Sequence, residues 1–220
     1  MSTDIPLAEM CERFKKIYVP AIADVLDDLG YWNQVMHEDI KSLRLTDRVA
    51  GRAYTALGKP ERSTERAIRL GPRMIDALKP YDVAVFDCSD DRTTGHWGEL
   101  LTTGALARGA VGAVIDGGMR DTAAILDTDF PVFHRFRVPR DARGRWNVVD
   151  METPIVCGGV PVRPGDFIVG DCDGVVVIPA EVATEVLIES EKTVEIEGEI
   201  RDRIQGGELV GDLYMAYERF

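Results

Sequence analysis

Ala113-Val-Ile-Asp-Gly-Gly-Met-Arg-Asp121 passes from a short apolar run into a glycine pair and then a charged pair. The apolar run predicts a buried strand, Gly117-Gly118 a turn, and the residues from about 121 a short helix. Val83-Ala84-Val85-Phe86 and Pro131-Val132-Phe133 are runs of the same kind. Between the first two strands lies Gly95-His-Trp-Gly-Glu-Leu-Leu-Thr-Thr-Gly-Ala105, which opens a helix over Leu100–Arg108 after a glycine- and charge-rich connection at 89–98. Strand, helix and strand in alternation predict an α/β fold. Both charged clusters then fall at strand-to-helix junctions. In open α/β sheets ligands bind beyond the carboxyl ends of strands, where helix N-termini present unpaired N–H groups. Glu99 and Arg120-Asp121 should therefore share one rim, with Gly98, Gly117 and Gly118 admitting a small ligand close to the main chain.

Outward from this segment, apolar residues at helical spacing fill 7–29 (Leu7, Met10, Phe14, Ile17, Ile22, Val25, Leu26) up to Gly30. A strand is predicted over 50–57, ending at Gly58. A helix follows from about 64 to 78, broken or kinked at Gly71-Pro72 and stopped by Pro80. The polar stretch 135–150 reads as a surface loop. Beyond it, Ile155-Val156, Val160–Val162, Phe167–Val169 and Val175–Ile178 alternate with Gly-Gly, Pro-Gly and Asp-Gly turns, a β-rich half. Pro179 opens a long charged helix through about 205, broken at Gly206-Gly207. No repeat or linker divides the chain, so residues 1–220 read as one domain with a helical tail from about 180.

The 220 residues carry a net charge of −12, which argues against a broad nucleic-acid surface. An anionic substrate would need local positive charge from an arginine, a metal or a helix N-terminus. No run of ~18 apolar residues predicts a membrane span, and no basic flank with an apolar run predicts a leader, so a cytoplasmic protein is expected. Cys11, Cys88, Cys157 and Cys172 lack zinc spacing and read as small apolar thiols. His96 reads as a loop residue, His37 and His134 as structural, Lys59 and Lys79 as solvated. Asp87, Asp90 and Asp91 read as a solvated loop face. On spacing alone, Glu99 is equally a dipole-favoured first-turn acid, and Arg120-Asp121 equally a surface pair worth ~0–1 kcal/mol.

Glu99, twenty residues (100–119) and then Arg120-Asp121 resemble the acidic-x20-Arg-Asp signature of the RraA-like family. The match extends to Gly98-Glu-Leu-Leu101, Asp129-Phe-Pro-Val-Phe133, Cys157-Gly-Gly-Val-Pro-Val-Arg-Pro-Gly-Asp166 and Gly170-Asp-Cys-Asp-Gly-Val-Val-Val-Ile-Pro179, and it covers roughly residues 20–210. Within the family the chain is most similar to class II pyruvate aldolases, which cleave 4-hydroxy-4-methyl-2-oxoglutarate and decarboxylate oxaloacetate. The resemblance implies a swivelling β/β/α-type core, trimers or hexamers, and a Mg²⁺ or Mn²⁺ ion.

It also implies roles. Asp121 would ligate the ion directly. Glu99 would do so through water, although many relatives have Asp at this position. An acid of a neighbouring subunit would act the same way, and Glu197 is favoured over Glu195 and Glu199. Arg120 would contact the 2-oxo acid and stabilise the enolate left by C–C cleavage, with Glu99 assisting catalysis. Gly98, Glu99, Leu100 and Leu101 would receive the substrate, its carboxylate on the N–H groups of the two leucines. Two other functions are compatible: a non-catalytic regulator that contacts RNase machinery, or a metal-dependent sugar-acid lyase or dehydratase. The tail acids favour the enzyme. Gly58-Lys-Pro-Glu-Arg-Ser-Thr-Glu-Arg66 departs from the family pattern and leaves the substrate open.

Overall fold

Pro20 has a helix-compatible φ but no N–H, so it is tolerated in a first helical turn and disruptive later. The helical stretch at 7–29 is accordingly two helices, α1 (Leu7–Phe14) and α2 (Val19–Asp28), the second beginning one residue before that proline. Gly30, at φ +87°, follows α2. The computed structural model describes residues 5–63 and 70–217.

The apolar runs form a mixed sheet. Four strands lie parallel, in the spatial order β6 (Val132–Arg137), β5 (Gly112–Met119), β3 (Asp82–Asp87), β2 (Val49–Pro60). The short β1 (Lys41–Ser42) pairs antiparallel with β6, while β10 (Phe167–Gly170) and β11 (Val175–Ile178) extend the other side antiparallel. Two further strands continue the sheet at its upper rim. β4 (Gly95–Trp97) runs parallel to the end of β5, and β7 (Trp146–Met151) antiparallel to the end of β2. A separate hairpin, β8 (Ile155–Cys157) with β9 (Val160–Val162), covers part of one face.

Successive strand residues point to opposite faces, and here both faces are buried, which is why the strands read as unbroken apolar runs. Val83 and Val85 join Val114, Ile168, Val175 and Val177 beneath the β8–β9 hairpin. Ala84 and Phe86 face the other way, into a core with Ala113, Ile115, Trp97 and Trp146. That second core is covered by α3 (Leu70–Ala77), α4 (Glu99–Ala107) and α5 (Thr122–Leu126), through Met74, Ile75, Ala105 and Ile125. A third core joins α1 and α2 to the long α6 (Ala183–Gln205), through Phe14, Ile22, Val186 and Leu187. The chain continues into α7 (Val210–Tyr217). This is the mixed α/β architecture expected, with its closing helix. Among the described residues no helix is long and apolar enough to cross a membrane.

Several glycines act differently from their sequence reading. Gly117 and Gly118 make no turn; β5 continues through them, with a shift in its register to β6 between Ile115 and Gly118. A Cβ on Gly117 would lie 2.5 Å from His96 Nδ1, and one on Gly118 2.4 Å from the Thr94 carbonyl oxygen. The pair is therefore a gap into which β4 packs. Gly58 does not end β2 either: a Cβ there would lie 1.7 Å from the Trp146 ring, so the glycine makes room for an indole. Trp146 and Val148 lie in the stretch read as a loop at 135–150. That stretch is instead the end of β6, a shorter loop and β7. Gly71-Pro72 lies within α3 without interrupting it. The part of that helical reading at 64–69 lies outside the described residues.

Candidate active site

The end of β5 delivers the two charged residues. Arg120 donates its backbone N–H to the Trp97 carbonyl (2.9 Å), which ties it to β4. Asp121 follows in a left-handed conformation (φ 58°, ψ 31°), which Asp tolerates better than most residues. It occupies the N-cap position of α5 yet makes no side-chain cap there. Its carboxylate turns instead to the neighbouring helix, where Oδ2 accepts the Glu99 N–H (3.2 Å) at the start of α4. Gly98 makes this approach possible: a Cβ would lie 2.6 Å from Asp121 Oδ2 and 3.3 Å from Arg120 Cγ. Its backbone is extended, so the requirement is space and not a special φ.

Arg120 and Asp121 open into a cleft of about 250 Å³. Gly98, Leu100 and Leu101 line it at the N-terminus of α4, whose first-turn N–H groups have no partner within the helix. Trp97, Trp146 and Val148 form apolar wall, and Asp141 and Asn147 add polar groups. The Arg120 guanidinium lies between two carboxylates, 3.6 Å from Asp121 and 3.7 Å from Asp141. Neither contact is a close hydrogen-bonded pair, and the side chains are 35% and 44% exposed for Arg120 and Asp121. The guanidinium and the carboxylate are thus only loosely engaged and reachable from the cleft.

Sequence reasoning placed Gly98, Leu100, Leu101, Arg120 and Asp121 together, and they line one cleft. Glu99 and Glu197 stand differently. Glu99 shares the rim through its backbone, while its carboxylate accepts the Thr103 hydroxyl one turn along α4 (2.7 Å). Glu197 lies on α6 and accepts a short hydrogen bond from Tyr18 of its own chain. Neither side chain lines the cleft of this single chain.

Three contributions were not legible. His96 is no loop residue but a buried member of β4. Its Nδ1 accepts the Gly118 N–H (3.0 Å), which leaves the proton on Nε2, facing Asp91 Oδ2 (3.0 Å). Burial lowers the His96 pKa, against the pull of Asp91. Asp91, read as solvated, is this network's carboxylate. Burial works against its charge, but hydrogen bonds from Thr93, Thr94 and His96 prevail and hold it below the ordinary value. Asp141 and the Trp146–Val148 wall were hidden in the supposed loop. Their one available signal was the alternation Trp146-Asn147-Val148, apolar at every second position.

The donor set fits a hard divalent cation. Asp121 presents an accessible carboxylate oxygen in a cleft shaped by the missing Gly98 side chain, and such ions accept one or two carboxylates with retained waters. A different acidic group, Asp171-Cys172-Asp173, has ligand atoms within 4.8 Å of one another but lies outside the cleft. Both oxygens of Asp171 are already taken, by the N–H groups of Val19 and Asp173 (2.9 Å each).

A carboxylate, a guanidinium and a helix N-terminus meet in a small cleft at the carboxyl ends of the parallel strands of an α/β protein. Residues 19–177 match the family model described as "RraA-like: Aldolase/RraA", and the chain belongs to this family. It is 34% identical over 191 residues to a protein of Halalkalibacterium halodurans described as "Putative 4-hydroxy-4-methyl-2-oxoglutarate aldolase", covering 87% of this chain and 86% of that one. Among solved structures, an uncharacterized protein from Pseudomonas syringae pv. tomato superposes with TM-score 0.85 at 27% identity, over 99% and 100% of the two chains. Streptomyces coelicolor RraAS2, described as an unusual member of the RNase ES inhibitor RraA protein family, superposes with TM-score 0.82 at 25% identity, over 90% and 100%. The family thus holds both aldolase-named proteins and regulators.

Proposed function

We propose that the chain is a divalent-metal-dependent lyase that cleaves 4-hydroxy-2-oxo acids, releases pyruvate and also decarboxylates oxaloacetate. The observation that carries this reading is the convergence of Arg120, Asp121 and the first turn of α4 on one cleft, around a glycine that a side chain would close. The likeness to an aldolase-named protein over most of both chains supports the same chemistry.

Cleavage breaks the C3–C4 bond. Its electron pair passes onto the 2-oxo acid as an enolate, the 4-hydroxyl becomes a carbonyl as it loses its proton, and protonation at C3 yields pyruvate. Charge builds on the C2 oxygen, so catalysis requires positive groups already in place. Arg120 is the chain's own contribution, its guanidinium lying at the rim between Asp121 and Asp141. The N–H groups of Leu100 and Leu101 receive the C1 carboxylate, helped by the α4 dipole. Asp121 would hold the cation, with Glu99 and the partner subunit's Glu197 acting through water. When bound, the ion supplies Lewis-acid stabilisation of the developing charge. Glu99, whose carboxylate accepts the Thr103 hydroxyl at the start of α4, would orient a water that moves the proton.

The test is pyruvate release from 4-hydroxy-2-oxo acids and oxaloacetate, with and without EDTA. Release that EDTA abolishes and Mg²⁺ or Mn²⁺ restores is expected. Full activity in rigorously metal-stripped protein overturns the reading.

A further inference from the structure

The far wall of the cleft carries information about the leaving half of the substrate. Pro72, Ala142, Trp146 and Val148 make it largely apolar, and Asn147, whose amide donates to Glu61 (3.4 Å), is its uncharged polar residue. Asp141 stands at its edge, 3.7 Å from Arg120. The position of Asp141 is set by the backbone. Gly95 donates its N–H to the Arg140 carbonyl (2.9 Å), and an isolated bridge joins Gly95 to Asp141, so the loop is pinned against β4. Among the described residues Arg120 is the one cationic group lining the cleft, and two carboxylates already flank it. Two arginines of the Asp141 loop are engaged with backbone: Arg145 donates to the carbonyls of Asp141 and Arg143, and Arg140 to that of Thr93.

A 4-hydroxy-2-oxo acid with a further carboxylate attached to C4 would spend Arg120 and the α4 N-terminus on its 2-oxo acid half. Its second carboxylate would then meet an apolar wall and the negative charge of Asp141. Burying an unpaired charge there is unfavourable, and a like charge at the edge adds repulsion. An uncharged distal group would meet Trp146 and Val148 at no such cost. We infer that among 4-hydroxy-2-oxo acids the site selects those with a small uncharged group on C4, and that Asp141 is the residue that rejects a further carboxylate attached to C4. This rests on the lyase reading above and names its substrate class. The reaction balance is unchanged: the C3–C4 bond breaks, and an uncharged aldehyde or ketone leaves with pyruvate.

The experiment compares two probes in the full chain supplied with Mg²⁺, scored as bonds cleaved. One is 4-hydroxy-2-oxopentanoate, which yields pyruvate and acetaldehyde. The other is 4-hydroxy-4-methyl-2-oxoglutarate, which carries a second carboxylate. A kcat/KM preference of about tenfold or more for the first is expected. Asp141→Asn, at an exposed loop position, should narrow that preference by about tenfold, through faster use of the dicarboxylate. A wild-type preference for the dicarboxylate, or a ratio unmoved in Asp141→Asn, overturns the inference and leaves the lyase reading standing. Cleavage of neither probe overturns both.

Discussion

Asp121 and Asp171 are both aspartates at turns after strands, and they live in opposite ways. Asp171, at the end of β10, is buried and has each oxygen filled by a backbone N–H. Asp166, at the other end of the same strand, is likewise bonded to the N–H groups of Arg163 (2.7 Å) and Ala180 (3.1 Å). Asp121, just past β5, is 44% exposed, takes one 3.2 Å backbone contact and leans on Arg120 at 3.6 Å. A carboxylate whose acceptor sites are satisfied by the fold anchors loops and helix starts. One left half-engaged, beside a guanidinium and in a cleft, is available to something the chain does not itself supply. The aspartates flanking the antiparallel β10 therefore anchor the scaffold, while Asp121, past the parallel β5, opens into the candidate site.

That contrast is open to direct attack. The largest expected effect is on the parallel side. Arg120→Ala should lower turnover by about 100- to 1000-fold, as for loss of a group stabilising transition-state charge, with the thermal midpoint nearly unmoved; unchanged turnover would remove the catalytic role. Next comes a crossed pair of variants. Asp171→Ala strips a charged partner from two buried N–H groups and should cost roughly 3 kcal/mol in urea unfolding. Asp121→Asn should leave stability within about 0.5 kcal/mol and reduce activity instead. If both variants lose stability alike, the two aspartates are not the different devices described here.

The smallest effect concerns His134 on β6. It is buried, its Nδ1 has no hydrogen-bond partner, and burial, with help from Arg137, lowers its pKa to about 4. The unfolded chain then binds a proton near the ordinary histidine pKa of about 6.5, while the folded chain resists until about 4. Stability from this group is present above the unfolded pKa and is lost as pH falls through that window. Between pH 7 and 5 the loss should be on the order of 1–2 kcal/mol. A urea midpoint that stays flat over that range, or moves identically in His134→Gln, would refute the assignment and sharpen attention on His96 in the cleft half.

Much of the candidate site's layout was legible because its parts are local. Glu99-Leu100-Leu101 opens a helix, and Arg120-Asp121 ends a strand, so topology alone placed the two on one rim. Errors gathered where a residue's role depends on a distant neighbour. Gly117-Gly118 looks like a turn until His96 and Thr94 are packed against it, and Gly58 looks like a strand end until Trp146 is laid over it. His96 and Asp91 are five residues apart and polar, as in many solvated loops. Only the β4–β5 pairing buries them together. The long charged α6 was read correctly, yet the acid favoured on it, Glu197, is engaged by Tyr18, 179 residues away in sequence.

The sequence by itself determined the strand runs, the α/β class and the order Glu99, Arg120, Asp121, because periodicity and strand-to-helix junctions are properties of short segments. The tertiary structure alone decided how those residues meet. Gly98 gives up a side chain to the Asp121 carboxylate, Asp141 reaches Arg120 from a loop pinned to β4, and Trp146 closes the wall from β7. Such contacts join segments distant along the chain, and their energies depend on distances that no local pattern encodes.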